Sequence, residues 1–499
     1  MSRGFQFTLI WLFASLVAIL MALNTVGGSY VEGTYVPHGN DSFYHARRIL
    51  DAVHNPSEFY EFDPKIHAPE GSLLTWPWGY DYLASLTVRG AVASGMVKDP
   101  MTALAFLPVF AVIVSIALTV AIAMSLRMSQ VATLIACLCV ALSPLTQIIH
   151  GVGIIDHHFA EYICVLAALW SGLLWMNKPQ SDKRALLAGL ILGIAPALQN
   201  GLFILQLPLL ACIGLLWLRN AHLPWRAAVS FGGALVSATL AVSLGSEAFR
   251  TGEFSFYLLS WFHVYVSMCT AIAVAFMASV GRSPRNVAVL VAVATILVIP
   301  ISRELLMGGA FLTGKLDALP TIVEARSLPT LIDTLGATKV FGYYSLLILT
   351  IPIVAIGCAW YLLRRTPPEP GLALLCTSSL IGLAMLTMQF RLHVFGSFAL
   401  SIPALVVADC YLIKGSRPIL GICATAIVLA GAYFLPVRDQ LFARRIPGND
   451  IYYALTRNIY SSLALACDQS PGTVLAGSDN GHDIRFHTEC SVIGNNFLL

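Results

Sequence analysis

Long apolar runs separated by short polar turns dominate the chain. Runs of spanning length, about 17–25 residues for a helix that crosses a bilayer, fall near 5–24, 101–124, 130–149, 158–176, 184–199, 202–218, 227–245, 256–279, 286–302, 341–363, 370–388, 392–412 and 417–435. The pattern predicts an all-α polytopic membrane protein of about thirteen transmembrane helices. The break at Gln199–Gly201 decides the topology, because merging its two flanking runs would invert everything downstream. Positive charge supports the break. With a cytoplasmic N-terminus, the inside segments carry Arg3, Arg127, Lys178, Lys183, Arg184, Arg219, Arg226, Arg282, Arg285, Arg364, Arg365, Lys414 and Arg417, whereas the outside turns at 149–157 and 199–201 hold no lysine or arginine. That is the positive-inside distribution with thirteen crossings, and it puts the C-terminal tail outside.

Three outside segments are longer than turns: 25–100, 303–340 and 437–499. The first contains an amphipathic stretch, Tyr80 to Val97, suited to the membrane surface. The second holds Gly308, Gly309 and Gly314 and has the composition of a mobile loop. The third starts with Arg438, Arg444 and Arg445 and predicts a helix near Tyr452 to Ala466 and a strand at Thr473 to Ala476. The expected organisation is a transmembrane catalytic domain over 1–436 and a small extracytoplasmic α/β segment over 437–499, marginal for an independent core. The ending Asn495-Asn496-Phe497-Leu498-Leu499 has no obvious stop character, which is compatible with a piece of a longer chain. The first run lacks a small-residue cleavage pattern and reads as a retained anchor.

Composition sharpens this picture. Of 499 residues 57% are hydrophobic and only 11% charged, too apolar for a soluble chain of this length. A net charge of +3, with its bases distributed by topology, gives no reason to expect a nucleic-acid partner. Most of the eleven cysteines lie in apolar runs without CxxC spacing and read as small buried side chains. Cys467 and Cys490 alone fall in a polar outside region, where they can pair as a disulfide.

Ionisable groups collect at the outer membrane edge. Gly39-Asn40-Asp41-Ser42 follows the first run, and Asp156-His157-His158-Phe159-Ala160-Glu161 opens the fourth. Four ionisable groups at the mouth of an apolar helix need partners, and a divalent cation reconciles them. Carboxylate oxygen with neutral imidazole suits Mn2+ or Mg2+ better than a thiolate-seeking metal. In the long loop, Glu324 follows Thr321; taken alone it is an ordinary loop charge. Arg391, at the outer end of the twelfth run, can clamp a phosphate or extend to the interface.

In motif order and helix count, nearly the whole chain resembles the catalytic subunits of oligosaccharyltransferases, most like the archaeal branch and its bacterial relatives. Gly39-Asn40-Asp41 matches the family's Gly-x-Asp motif, Asp156-His157-His158 its Asp-x-His motif, and Thr321-Ile322-Val323-Glu324 its Thr-Ile-x-Glu motif. The resemblance implies Asp41, Asp156, His158 and Glu324 as metal ligands and Asp41 and Glu324 as catalytic carboxylates. It assigns Arg391 to the donor phosphate and Thr321, Glu324 and Asp479 to the acceptor. The implied reaction moves a glycan from a polyprenyl (di)phosphate to an acceptor on the extracytoplasmic face, with Mn2+ or Mg2+, inversion at the sugar and a single subunit. A bacterial inner membrane or an archaeal plasma membrane is the expected setting. One departure bears on the acceptor: where the family has Trp-Trp-Asp-Tyr-Gly, this chain has Gly477-Ser478-Asp479-Asn480-Gly481. A lipid or polysaccharide acceptor therefore stands beside a protein acceptor. A transporter is a lesser alternative, since the helix interiors are nearly free of charge and no internal repeat is evident.

Overall fold

The computed structural model describes residues 3–31, 33–56, 59–307, 323–365, 368–413, 451–477 and 480–494, with isolated positions between 419 and 433. The first half runs through α1 (Arg3–Leu23), α2 (Asn40–His54), α3 (Trp78–Ala93), α4 (Pro100–Ser125), α5 (Gln130–Leu142), α6 (Pro144–His150) and α7 (His158–Met176). Among the described residues ten helices are long and apolar enough to cross a membrane, and α5 with α6, bent by 57° at Ser143, makes an eleventh if taken as one span. The expected run at 184–199 forms the helix Asp182–Leu198, and the run at 417–435 lies largely outside the described residues. Helices dominate because spanning backbone must satisfy its own polar groups. Among the described residues the strands form three two-residue pairings.

The chain divides into two compact units. One comprises residues 1–18, 114–146 and 161–439. Its helices approach through small residues. A Cβ on Gly193 of Asp182–Leu198 would meet the Leu235 carbonyl of Trp225–Ser243 at 2.6 Å, and one on Gly189 would strike the Phe231 carbonyl. The four-residue spacing places both glycines on one face, so two backbones pack closely where lipid supplies no drive for larger side chains to separate from it. One group of buried polar side chains in this unit pairs through neutral hydrogen bonds, while the buried Asp409 carboxylate accepts from the Ser129 N–H at 3.0 Å. Gln206 Nε2 donates to Ser267 Oγ at 3.1 Å, Ser267 and Thr239 hydroxyls lie 3.0 Å apart, and Asn200 Nδ2 donates to the Tyr257 carbonyl.

The other unit comprises residues 19–113, 147–160 and 440–499. Its core joins Tyr44, Ile66, Leu74 and Trp76 of the first outside segment to Tyr460, Ile484 and Val492 of the C-terminal one. A C-terminal piece too short for a core of its own thus completes one from a distant segment. The expected tail elements are present as the helix Ile451–Gln469 and the strand Thr473–Val474, which pairs in parallel with Ser491–Val492. Cys467 and Cys490 are disulfide-bonded and tie that helix to the second strand. The amphipathic stretch expected from Tyr80 forms α3.

The described ends of the loop expected over 303–340 are helical. Pro284–Met307 carries helix into its start, and the helices Leu328–Leu335 and Ala337–Tyr344 form its end. Ser327 explains the first of these: its hydroxyl accepts from the Thr330 backbone N–H as an N-cap. The glycine-bearing stretch 308–322, Thr321 included, lies outside the described residues.

Candidate functional site

The turn between α6 and α7, residues 151–157, carries Asp156 and is held at nearly every backbone group. Val152 N–H donates to Thr25 Oγ1 at 2.7 Å, and its carbonyl accepts from Ser29 Oγ at 2.7 Å. Gly153 N–H donates to the Ala105 carbonyl and Gly153 O accepts from His38 N–H, both at 2.8 Å. Gly153 has a φ of 76°, and a Cβ there would run into Ser29, so both backbone conformation and space require glycine. Ile155 N–H donates to Ser42 Oγ at 3.1 Å, and the Ile155 carbonyl accepts from Tyr80 Oη at 2.9 Å. Ser42 immediately follows Asp41 in the first turn of α2, whose N-cap Gly39 also has a positive φ, 92°. The Gly39-Asn40-Asp41 and Asp156-His157-His158 motifs are therefore fixed to each other by a hydrogen bond, and Asp41 is half-buried beside it.

On Asp156 the imidazoles converge. Asp156 Oδ1 lies 2.7 Å from His157 Nδ1 and 3.8 Å from His45 Nε2, and Oδ2 lies 3.3 Å from His158 Nε2. The two facing ring nitrogens, His45 Nε2 and His157 Nδ1, are 3.2 Å apart. Asp156 also accepts from the His157 backbone N–H at 2.6 Å. Burial alone would raise the Asp156 pKa, but the charges of His158, His157 and His45, with the His157 hydrogen bond, hold it well below the usual carboxylate range. His45, Asp156 and His157 present one ligand atom each within 4.8 Å of one another. Two imidazole nitrogens and a carboxylate oxygen at this spacing fit a divalent cation of intermediate softness.

Beneath the cluster lies a second layer that residue spacing did not reveal. His45 Nδ1 and Asp81 Oδ1 are 2.7 Å apart, and Asp81 Oδ2 accepts from Arg48 at 2.9 Å. All three side chains are buried. Arg48 donates further to the Tyr60 carbonyl at 2.8 Å and sits 4.4 Å over the Phe59 ring. Burial pushes the Asp81 pKa up, yet His45 and Arg48 outweigh it and leave the carboxyl ionised and lowered. The available signal was periodicity: His45 is one turn along α2 from Asp41, and Arg48 one turn further. His157, the middle residue of its motif, is buried at the cluster's centre rather than passed over.

Glu324 is exposed on the turn Val323–Ala325, and Arg391 is half-buried on Phe390–Leu392. These turns adjoin within their own unit, since Phe390 N–H donates to the Arg326 carbonyl at 2.9 Å. Thr321 and Asp479 lie outside the described residues. Beside the Asp479 position, His482 and Asp483 are buried on the short helix Gly481–His487. Burial lowers His482 to about 3 and raises Asp483 to about 6.

No protein-family model matches the chain, and no curated protein matches it. Solved structures do. An oligosaccharyltransferase from Archaeoglobus fulgidus, in complex with an inhibitory peptide and a dolichol-phosphate, superposes with a TM-score of 0.78 at 17% identity, over 99% of this chain and 65% of that one. A complex of an A. fulgidus oligosaccharyltransferase with Zn and sulfate gives 0.71 at 18% identity, over 98% and 62%. A mycobacterial arabinofuranosyltransferase gives 0.55 at 14% identity, over 99% and 33%. The chain spans about two thirds of the archaeal enzyme's length. At these identities the likeness establishes the fold alone, the all-α polytopic architecture shared with these solved structures.

Proposed function

We propose that this chain is a metal-dependent membrane glycosyltransferase of oligosaccharyltransferase type, moving a glycan from a polyprenyl (di)phosphate to a protein acceptor on the extracytoplasmic face. The observation that carries the reading is the convergence of buried imidazoles on Asp156, on a fold shared with an enzyme solved with dolichol-phosphate and peptide. Asp41, Asp156 and His158 are the ligands implied by motif, with Glu324 joining from the long loop. When bound, Mn2+ or Mg2+ supplies Lewis-acid neutralisation of phosphate charge. Arg391 adds a guanidinium suited to two phosphate oxygens. Asp41 and Glu324 orient the acceptor and take up its proton as the sugar centre gains oxocarbenium character. Thr321 and Asp479 are assigned to the acceptor. The polyprenyl tail remains in the bilayer. The Cys467–Cys490 disulfide supports an extracytoplasmic position for this unit, where thiols oxidise. A single subunit suffices for these roles.

One observation favours a second acceptor. Gly477 and Ser478 stand where the family's acceptor-reading motif has tryptophans, and the arabinofuranosyltransferase with a related fold is named for transferring a sugar unit rather than for a peptide. A lipid or polysaccharide acceptor fits both. Transfer from a labelled polyprenyl-linked donor in proteoliposomes, offered a sequon peptide and a lipid acceptor with and without Mn2+, separates the readings. Metal-dependent peptide labelling, reduced at least a hundredfold in Asp41→Ala, Asp156→Ala and Glu324→Ala, is the expected result. Labelling of lipid alone selects the second reading, and transfer indifferent to all three changes refutes the site.

A further inference from the structure

We infer that His45 is itself a ligand of the cation, oriented for that role by the buried Asp81–Arg48 pair. The inference rests on the proposed metal site and deepens it with residues outside the matched motifs. Its basis is the direction of one ring. Asp81 is paired with the Arg48 guanidinium at 2.9 Å and presents its other carboxylate oxygen as an acceptor, so the proton of the 2.7 Å contact sits on His45 Nδ1. In the neutral ring the Nε2 lone pair then faces Asp156 Oδ1 and His157 Nδ1, at 3.8 and 3.2 Å. Ligand atoms about 2.1 Å from one cation in cis positions lie about 3 Å apart, and the separations of 2.7, 3.2 and 3.8 Å bracket that value.

A carboxylate on the far nitrogen of a ligating imidazole is the arrangement that fixes tautomer and raises basicity in metal sites. Here the carboxylate is itself anchored by Arg48, which cannot lose its charge and is held by the Tyr60 carbonyl. A histidine that served packing alone would not need a buried ion pair to choose its tautomer, and burying that pair is costly.

The test uses the purified full chain in nanodiscs loaded with Mn2+, read by titration calorimetry and by pulsed electron paramagnetic resonance for 14N coupling. The parent should bind Mn2+ and show imidazole couplings. His45→Gln should lose one nitrogen and weaken Mn2+ at least tenfold. Asp81→Asn should weaken Mn2+ by about 10–100-fold. The double variant His157→Gln, His158→Gln keeps His45 and should retain a nitrogen coupling, which decides the matter even where His45→Gln fails to fold. Loss of all nitrogen coupling in that double variant, or unchanged coupling and affinity in His45→Gln, overturns the role of His45. Absence of Mn2+ binding in the parent, or binding unaffected by Asp156→Ala, instead overturns the underlying metal site.

Discussion

Each unit holds a buried polar cluster, and the two clusters are built in opposite ways. Within the membrane helices, Gln206, Ser267 and Thr239 share neutral hydrogen bonds, and His263 Nε2 meets the Asn200 carbonyl at 3.0 Å. In the other unit, Arg48, Asp81 and His45 are buried as ions and ion partners, with Asp156 beside them. Neutral pairs hold helices together at modest cost because neither partner carries a charge to desolvate. Buried charges are costly unless every lone pair and proton is matched. The contrast locates specialised chemistry: among the described residues, the buried ion pair of Arg48 and Asp81 reaches Asp156 through His45.

The largest effect that would break the contrast comes from Arg48→Met. If the ion pair is locked as described, removing the guanidinium strands Asp81 without its charge partner and costs about 3–5 kcal/mol, measured by thermal or chemical unfolding in nanodiscs and by protease sensitivity of residues 25–100. A cost near that of a surface substitution would mean that the cluster is solvated. Next is Gly193→Val. Its Cβ would start 2.6 Å from the Leu235 carbonyl, and overpacking of this kind costs about 1–3 kcal/mol. Gly233, whose Cβ would meet nothing within 4 Å, is the matched control and should tolerate alanine. A smaller loss, about 0.5–1 kcal/mol, is expected for Ser267→Ala, which removes a shared hydroxyl but strands no charge. A larger loss there than for Arg48→Met would reverse the comparison.

The same contrast governs what could be read from the sequence. Apolar runs act through local composition, so most spans among the described residues were legible; the helix Pro284–Met307, for instance, closely follows its run at 286–302. Asp156, His157 and His158 were visible because they are consecutive. His45 was not, since its meaning depends on Asp81, 36 residues away and on another helix. Asp81 itself looked like one polar position on an amphipathic stretch. Its burial follows from α2 and α3 packing around Trp76 and Tyr80, whose rings lie 4.4 and 5.2 Å from that of His45, and that packing has no local signature. The tail misled differently. Judged by its own length it was marginal, yet Tyr460, Ile484 and Val492 enter a core begun by Tyr44 and Ile66.

The smallest effect tests whether this long-range assembly also depends on surface charge. Glu489 accepts from Arg47 at 2.6 Å and from Lys65 at 2.8 Å, linking the tail to the first outside segment. Its side chain is half exposed. Burial would raise its pKa, but the hydrogen bonds and charges of Lys65 and Arg47 bring it down to about 2 from an ordinary 4.5. A carboxyl lowered in the folded state stabilises fully above pH 4.5 and loses that contribution as pH falls toward 2. Solvent screening limits the contribution to less than about 1 kcal/mol. The parent should therefore lose slightly more stability than Glu489→Gln between pH 4.5 and 2 at low ionic strength, a comparison that cancels the titration of the other carboxylates. In 1 M salt, where the screening length is about 3 Å, the difference should shrink further. A difference that persists undiminished in high salt would mean that the Glu489 contacts act by packing, and the distinction between a charge-locked site and a tail held mainly by its apolar core would become sharper still.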